Sequence, residues 1–199
     1  KTIYLEVLGA TDIDAASVDL NEAINTFAGD VGLDIGGLAT LYSNGDLSFG
    51  ASTVGGALNV TAQGGVTQTG AMSVTGTFTL VAETGQAITL DDQTNDFKGI
   101  VHVTGSGDVS LGDANGIALQ GYVANDLTLT PVGSADLAAL TVDGALNVTA
   151  AGLTNSGTVI IAGRTTLDTD TGDITLTSGL TFGAPIAVTM ARNLTVSAT

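Results

Sequence analysis

The sequence predicts an all-β parallel β-solenoid of about ten coils, and three observations lead to this fold. The chain repeats itself at long spacing, and it is built from short apolar alternations separated by Gly, Asn and Asp. Only 4% of its 199 residues are aromatic. Because cysteine is absent, the fold contains no disulfide and no thiolate metal site. An antiparallel β-sandwich is the alternative that uses the same short strands.

Two sets of internal matches define the repeat. Residues 56–62 recur letter for letter at 144–150, 88 residues further on (Gly56 to Gly144). Residues 18–29 align without gaps on 88–99, 70 residues further on (Val18 to Ile88), and a partial third copy starts at Ile174. Self-similarity at fixed spacing is typical of stacked repeats that bury a continuous core.

The repeats predict a simple domain organisation. We expect a lead segment or N-terminal cap at 1–17, followed by a single solenoid at 18–199 that contains the repeats 18–87, 88–173 and the partial repeat 174–199. A cap is useful because an uncovered solenoid end is an open sheet edge.

The local pattern within each repeat predicts short strands. Segments such as 58–60, 88–90, 127–129 and 146–148 alternate apolar and polar residues, which is the period-two signature of a strand. Gly, Asn, Asp and Ser between them favour tight corners. Such strands need neighbours, because a free hairpin of this length is not stable.

The scarcity of aromatic side chains favours the solenoid over the sandwich. A sandwich core spans two sheets about 10 Å apart and usually contains large side chains. Small aliphatic residues fill a narrow parallel coil instead. With about 20 residues per coil and a rise near 4.8 Å, the solenoid would be a rod roughly 45 to 50 Å long.

One segment also fits a helix. Residues 14–27 place Leu20, Ile24 and Phe27 on one face of an amphipathic helix. The gapless match to 88–99 weighs against it, because Asp91, Asp92 and the residues after them form helices poorly.

Charge and hydropathy exclude several partners. The chain has 4 Lys+Arg and 20 Asp+Glu, a formal net charge of −16. Nucleic acid and anionic membrane surfaces are bound through basic residues, so we expect neither as a partner. No run of 18 or more apolar residues occurs, so we expect no membrane insertion.

The repeat texture resembles a known group of proteins. The runs at 25–32 and 95–101, with the repeated Gly-Ala-Leu-Asn-Val-Thr-Ala, resemble the repeat regions of filamentous-haemagglutinin-like exoproteins and autotransporter passengers. The resemblance covers 18–199 and implies a right-handed parallel β-helix at the bacterial cell surface, with an adhesive or fibre-forming role. It names no receptor, and the secretion domain of such exoproteins is not recognisable here.

Candidate catalytic groups are few. Asp91 with Asp92, and Asp168 with Asp170, are carboxylate pairs of the kind that cleave glycosidic bonds. The Gly-His-Gly and Arg-x-Lys strings of β-helix hydrolases are absent, and His102, the single histidine, is expected on the outward face. We therefore expect no enzyme and no catalytic residue. The alternative is a carbohydrate-active β-helix enzyme that acts on polysaccharide.

Calcium is the one cofactor that the sequence leaves open. Asp91, Asp92, Asp168 and Asp170 are weak candidates for calcium ligands, because calcium prefers carboxylate oxygens. The segment that begins at Asp12 starts like a calcium loop but lacks its later oxygen ligands and its turn glycine. We expect no resident cofactor, with adventitious calcium at these corners as a possibility.

The sequence thus predicts an extracellular structural or adhesive module. We expect its partners to be a host or cell-surface glycan and, through the partial third repeat, further coils. These coils belong either to neighbouring repeats of a longer chain or to another subunit joined end to end as in a filament.

Overall fold

The computed structural model describes residues 5–83, 85–177 and 179–197, and the fold is a right-handed parallel β-helix of ten coils. Every strand pairing in these ranges is parallel, as the sequence predicted for a solenoid. The alternative antiparallel sandwich is therefore wrong. The helical alternative for 14–27 is also wrong, because this segment forms strands and a turn.

Each coil contributes two or three short strands. The first five coils contain β1 Glu6–Val7, β2 Thr11–Ala15, β3 Val18–Leu20, β4 Thr26–Phe27, β5 Val31–Ile35, β6 Ala39–Ser43, β7 Leu47–Val54, β8 Leu58–Ala62, β9 Val66–Gln68, β10 Met72–Val74, β11 Phe78–Ala82, β12 Ile88–Leu90, β13 Asp96–Phe97 and β14 Val101–Gly105. The last five contain β15 Val109–Asp113, β16 Ile117–Val123, β17 Leu127–Pro131, β18 Ser134–Val142, β19 Leu146–Thr149, β20 Gly152–Asn155, β21 Val159–Ile161, β22 Thr165–Asp168, β23 Asp173–Leu176, β24 Leu180–Phe182, β25 Ile186–Met190 and β26 Asn193–Val196.

The strands form two long sheets that run the length of the rod. The first long sheet has 12 strands and includes β2, β5, β7, β9, β12, β15, β17, β19, β22 and β25, with β10 paired to β7 and β13 paired to β10. The second long sheet, also of 12 strands, includes β3, β6, β8, β11, β14, β16, β18, β20, β23 and β26, with β21 paired to β18 and β24 paired to β21. Strands β1 and β4 form a separate pair.

Side chains stack in register from coil to coil. Ala39, Leu58, Phe78, Val101 and Leu119 occupy successive coils of the second long sheet, and each is at most 1% exposed. Burial of an aliphatic side chain stabilises a fold by about 1.5–3 kcal/mol, so a column of this kind is the main source of stability. Four of these five residues are aliphatic, as the low aromatic content indicated, and Phe78 is the aromatic exception.

Glycine is required where neighbouring coils approach closely. A Cβ on Gly29 would overlap the backbone nitrogen of Ala10 in the previous coil, and a Cβ on Gly99 would overlap the carbonyl of Gly76. Both glycines end the matched segments 18–29 and 88–99. The internal repeat therefore reflects a shared backbone contact.

The segment before the first repeat is part of the rod. Residues 5–17 contain β1 and β2, which pair with β4 and β5 of the next coil. The division into a lead segment at 1–17 and repeats at 18–87, 88–173 and 174–199 stays a prediction.

Across the ranges that the structure describes, helices of a length and hydropathy suited to spanning a membrane do not occur.

Candidate functional site

The outward positions of the first long sheet form a row of small polar side chains. Thr89, Ser110, Thr128, Asn147 and Thr166 follow one another in register, one per coil. Adjacent members are about 4.8 Å apart because that is the spacing of paired strands. We call these five residues the hydroxyl row, because all of them except Asn147 carry a hydroxyl group. It presents hydrogen-bonding groups without formal charge.

The candidate pair Asp168 and Asp170 lies at one corner of the rod, where β22 ends at Asp168. The Asp168 Oδ1 accepts a hydrogen bond of 3.0 Å from the backbone N–H of Asp170. Asp170 has a φ of 47°, a left-handed conformation that Asp adopts more readily than most residues. Both carboxylates line an open groove of about 390 Å³ whose wall also includes Gln93 and Thr149.

Asp173 lies in an adjoining groove of about 400 Å³ and is held by a cation. The Arg192 guanidinium donates hydrogen bonds of 2.9 and 2.7 Å to its two carboxylate oxygens. Asn193 donates a third, of 2.8 Å. The hydrogen bonds from Arg192 and then Asn193 lower the pKa of Asp173 to about 2. Asp173 is therefore ionised at neutral pH and is a poor general acid.

The other candidate pair, Asp91 and Asp92, follows β12. The Asp92 Oδ1 accepts hydrogen bonds of 2.6 Å from the Thr94 hydroxyl and 2.8 Å from the Thr94 N–H. These two hydrogen bonds lower the pKa of Asp92. Asp91 is exposed. Asp92 thus has a local role, because it fixes the turn that leads into β13.

The structure does not bring the candidate calcium ligands into one cluster. Across 5–83, 85–177 and 179–197, no group of three His, Cys, Asp or Glu side chains is placed so that it could hold a metal ion. Asp91, Asp92, Asp168 and Asp170 remain candidates from the sequence only. His102 lies on the outward face of β14, where its Nδ1 is 3.5 Å from the Gln120 amide nitrogen.

Sequence reasoning missed a buried polar cluster around Asn95. The Asn95 side chain is fully buried. Its Oδ1 accepts two hydrogen bonds of 2.8 Å, from the backbone N–H of Met72 and from the side-chain amide of Gln68. Its Nδ2 donates a hydrogen bond to the carbonyl oxygen of Leu90. The signal was present, because Asn25 occupies the aligned position and is 2% exposed. The cluster ties successive coils together at a corner.

Asp113 is the second buried polar group that the sequence did not reveal. Its two oxygens accept hydrogen bonds of 2.7 Å from the Phe97 N–H and 2.8 Å from the Asn115 N–H. The side chain is fully buried, and this burial raises the pKa of Asp113. Asp96 contributes in the same direction as a nearby like charge. The group is positioned to close a turn, since both its partners are backbone N–H groups.

The fold and these surfaces define a repeat protein of the parallel β-helix class, in which stacked coils supply the core and outward rows supply the surface. The family of Repeats of unknown function (DUF5649) has a model that matches residues 4–34, 36–104 and 124–189, which is the greater part of the chain. The chain belongs to this family. Comparison with curated proteins and with solved structures gave no match.

Proposed function

We propose that this chain is a structural module of a bacterial surface protein, a stiff rod that presents an adhesive face outside the cell. The observation that carries the proposal is the uninterrupted buried column from Phe27 to Leu176, which runs through the eight inner coils and links each of them to its neighbours. In a solenoid, each coil is stabilised by the coils above and below it, so length can be added without loss of stability. Such a fold suits a spacer.

The hydroxyl row supports the adhesive part of the proposal. Its Thr, Ser and Asn side chains are outward and in register across five coils. Sugars are rich in hydroxyl groups that donate and accept hydrogen bonds, and an uncharged row of hydroxyl and amide groups complements them. We therefore propose a host or cell-surface glycan as the ligand of this row. The resemblance to filamentous-haemagglutinin-like repeats supports the same role.

The scaffold part is tested by shape and protease resistance. Small-angle scattering of the purified chain should give a rod about 45 to 50 Å long. Trypsin should cut the chain slowly, because only four Lys+Arg residues occur. A broad-specificity protease should cut the coils only after the rod has unfolded. A compact globule, or rapid cleavage within the coils by the broad-specificity protease, would refute the rod.

The adhesive part is tested on a glycan array with a matched pair of variants. Thr128→Val removes a hydroxyl from the hydroxyl row at nearly constant volume. Thr79→Val makes the same change on the outward face of the second long sheet. We expect Thr128→Val to weaken glycan binding several-fold and Thr79→Val to leave it unchanged. Absence of binding by the wild type to any glycan removes the adhesive part.

Surface location is tested in the producing bacterium. An antibody against the rod should label intact cells, and external protease should remove that label. Labelling only after permeabilisation would contradict an extracellular role.

A carbohydrate-active enzyme is the second candidate, favoured by one observation: Asp168 and Asp170 line an open groove. Against it, the Asp168 carboxylate already accepts a hydrogen bond from Asp170, and Asp173 beside it is ion-paired. The proposed function is not enzymatic. Release of product from an acidic or neutral polysaccharide, with loss of activity on Asp168→Asn or Asp92→Asn, would reverse this choice.

The proposed rod needs no cofactor, and calcium stays a prediction from the sequence. The melting temperature should be compared in EDTA and in millimolar calcium. A rise in calcium that disappears in Asp168→Asn with Asp170→Asn, or in Asp91→Asn with Asp92→Asn, would place calcium at the corresponding corner.

A further inference from the structure

One outward row of the second long sheet alternates bulky side chains with threonine. Strand pairing places its members in register, one per coil, in the order Tyr42, Thr61, Val81, Thr104, Tyr122, Thr141, Ile160 and Thr181. We call these eight residues the alternating row. None of them is charged, although the chain carries a net charge of −16. An uncharged strip on an acidic rod is suited to an uncharged ligand.

Tyr122 is the most prominent side chain of this row. It is 41% exposed, more than any other aromatic side chain that the structure describes. Its hydroxyl donates a hydrogen bond of 2.5 Å to the Oδ2 of Asp143, which belongs to the next coil. Hydrogen bonds to a carboxylate are stronger than those between neutral groups. This bond therefore holds the exposed ring in one position.

An open groove of about 210 Å³ lies over the two coils that precede Tyr122. The Tyr122 ring bounds the groove on one side, and Val81 and Glu83 bound it on the other. Thr104 lies between them. Because Asp143 belongs to the coil after Tyr122, it holds the Tyr122 hydroxyl on the far side from the groove. The part of Tyr122 that borders the groove is therefore its apolar ring.

The opposite side of the groove is also fixed by hydrogen bonds. The Ser106 hydroxyl donates a hydrogen bond of 2.7 Å to the Glu83 carbonyl oxygen and accepts one of 2.9 Å from the Gly85 N–H. These bonds tie the chain that follows β11 to the chain that follows β14. A ligand that enters a groove with ordered walls loses little free energy in ordering them.

The groove combines an aromatic face with a few polar groups. The Tyr122 ring supplies apolar surface, and the Thr104 hydroxyl and Glu83 carboxylate supply hydrogen-bonding groups. Small ligands are bound by concave, mainly apolar sites that contain a few placed polar groups. A pyranose sugar is complementary to this arrangement, because it has C–H groups on the faces of its ring and hydroxyl groups around its rim. The C–H face packs on the aromatic ring while the rim donates hydrogen bonds to Glu83.

Charge determines which ligand this groove accepts. Glu83 lies in the groove, and Asp143 lies behind the Tyr122 ring. An acidic sugar would place a further negative charge beside these two carboxylates. A second copy of the chain would bring a net charge of −16 towards an equal one, which disfavours contact between copies through this row. A neutral sugar meets neither repulsion.

We propose that the groove beside Tyr122 binds a neutral hexopyranose, with the apolar face of the sugar on the Tyr122 ring and its hydroxyl groups on Thr104 and Glu83. The inference rests on the adhesive part of the proposed function and adds a site on the other long sheet. It does not depend on the hydroxyl row. The two sites differ in chemistry, because the hydroxyl row contains no aromatic side chain.

The ligand preference is tested by titration with simple sugars, followed by NMR of the backbone amide and tyrosine ring signals. The neutral probes are methyl β-D-glucoside and methyl β-D-galactoside. Methyl β-D-glucuronide is the acidic probe and differs from the glucoside only at C6, where a carboxylate replaces the alcohol. We expect at least one neutral sugar to bind with a Kd of about 1–10 mM, and the glucuronide to bind at least about fivefold more weakly than the glucoside. No shift of the Tyr122 signals with either neutral sugar at about 50 mM, or equal binding of the glucuronide, overturns the inference.

Variants at two tyrosines locate the site. Tyr122→Phe keeps the ring and should bind within about threefold of the wild type, whereas Tyr122→Leu removes the aromatic face and should bind at least about tenfold more weakly. Tyr42→Leu is the matched control. Tyr42 belongs to the same alternating row and its hydroxyl accepts a hydrogen bond from Gln63 of the next coil, but it does not line this groove. Tyr42→Leu should bind within about twofold of the wild type. Equal losses in the two Leu variants overturn the inference.

Thr128→Val separates this inference from the hydroxyl row. Sugar binding that is lost in Tyr122→Leu and kept in Thr128→Val supports the inference and moves the adhesive face to the second long sheet. Binding that is lost in Thr128→Val and kept in Tyr122→Leu supports the hydroxyl row and overturns the inference. Tyr122 signals that move on dilution without sugar indicate contact with a second copy and also overturn it. Dispersed amide signals in each variant show that the rod still folds.

Discussion

The chain builds the same corner twice, at residues 18–29 and at 88–99, on different sheets. In each copy, a strand of three residues is followed by a turn, a buried Asn and a buried Phe. The first copy starts on the second long sheet with β3, and the second copy starts on the first long sheet with β12. A local sequence can therefore specify a corner without specifying which corner of the rod it becomes.

The two corners share their central hydrogen bonds. The Nδ2 of Asn25 donates to the Leu20 carbonyl oxygen at 2.9 Å, and the Nδ2 of Asn95 donates to the Leu90 carbonyl oxygen at 3.2 Å. The Oδ1 of each accepts from a backbone N–H of the preceding coil, at 2.9 Å from Leu5 for Asn25. The aligned Asn thus has one structural role in both places.

The corners differ in what surrounds them. Asn95 also exchanges hydrogen bonds of 2.8 and 2.9 Å with Gln68. The coil above the second corner places Asp113 against it, whereas the aligned residue above the first corner is Ser43, whose hydroxyl donates to the Asp46 carbonyl oxygen. The second corner lies in the middle of the rod and is the more tightly packed of the two.

The largest expected difference concerns the two phenylalanines. Phe97 is 2% exposed and contacts Phe78, with ring centroids 5.4 Å apart, while Phe27 is 7% exposed near one end. Phe97→Ala should lower the free energy of unfolding by about 3–5 kcal/mol. Phe27→Ala should cost about 1 kcal/mol less, because the aromatic pair is specific to the second corner. Urea melts measure both, and equal losses would mean that the two corners contribute equally.

The buried asparagines should rank in the same order. Asn95→Ala should cost about 2–4 kcal/mol, because it leaves the Met72 N–H without its acceptor in the interior. Asn25→Ala should cost about 1 kcal/mol less, since Gln68 adds hydrogen bonds only at the second corner. Comparison of the double variant Gln68→Ala with Asn95→Ala against the two single variants gives the coupling energy between these side chains. A coupling energy near zero would show that Gln68 does not strengthen the corner.

The second corner alone should respond to pH through Asp113. Burial raises the pKa of Asp113 in the fold, so the folded state binds the proton more tightly than the unfolded state. The stability of the wild type relative to Asp113→Asn should therefore fall as the pH rises from about 3.9 through the raised pKa, and should be constant above it. Urea melts between pH 3.5 and pH 7 measure this. Ser43→Ala is the matched control at the first corner, and its difference from wild type should not vary with pH.

The smallest effects belong to the repeated heptapeptide. Leu58 and Leu146 are both buried, at 0% and 1% exposure, although β8 lies in the second long sheet and β19 in the first. Asn59→Thr and Asn147→Thr are both outward and should each change the free energy of unfolding by less than about 0.5 kcal/mol. Leu58→Ala and Leu146→Ala, at about 2–5 kcal/mol each, are the positive controls. An outward change as large as the Leu changes would show that the two copies do not share the same faces.

Much of the fold was predictable because the strands are simple. In both copies of the heptapeptide, the alternation places Leu and Val inward and Asn outward, and the structure has the same order. The candidate site was less predictable. The carboxylates at 91–92 and 168–170 are adjacent in sequence, but their hydrogen bonds to Thr94 and to the backbone depend on the turn geometry.

Buried Asn95 and Asp113 escaped prediction for a related reason. Polar residues are usually exposed, and a sequence does not state which backbone N–H groups of a neighbouring coil need an acceptor. Asn95 satisfies an N–H 23 residues earlier, at Met72, and Asp113 satisfies one 16 residues earlier, at Phe97. Those partners become neighbours only when the coils have closed.

The amino-acid order alone fixed the strands, their inward and outward faces and the stacking of repeats, because period-two alternation and corner residues act within a few positions. The assignment of each strand to a sheet came from the assembled coils. Register between neighbouring coils varies from 18 residues, between Val101 and Leu119, to 23, between Phe78 and Val101. A spacing of 88 residues (Gly56 to Gly144) corresponds to about four and a half such coils, so identical segments reach different sides of the same column.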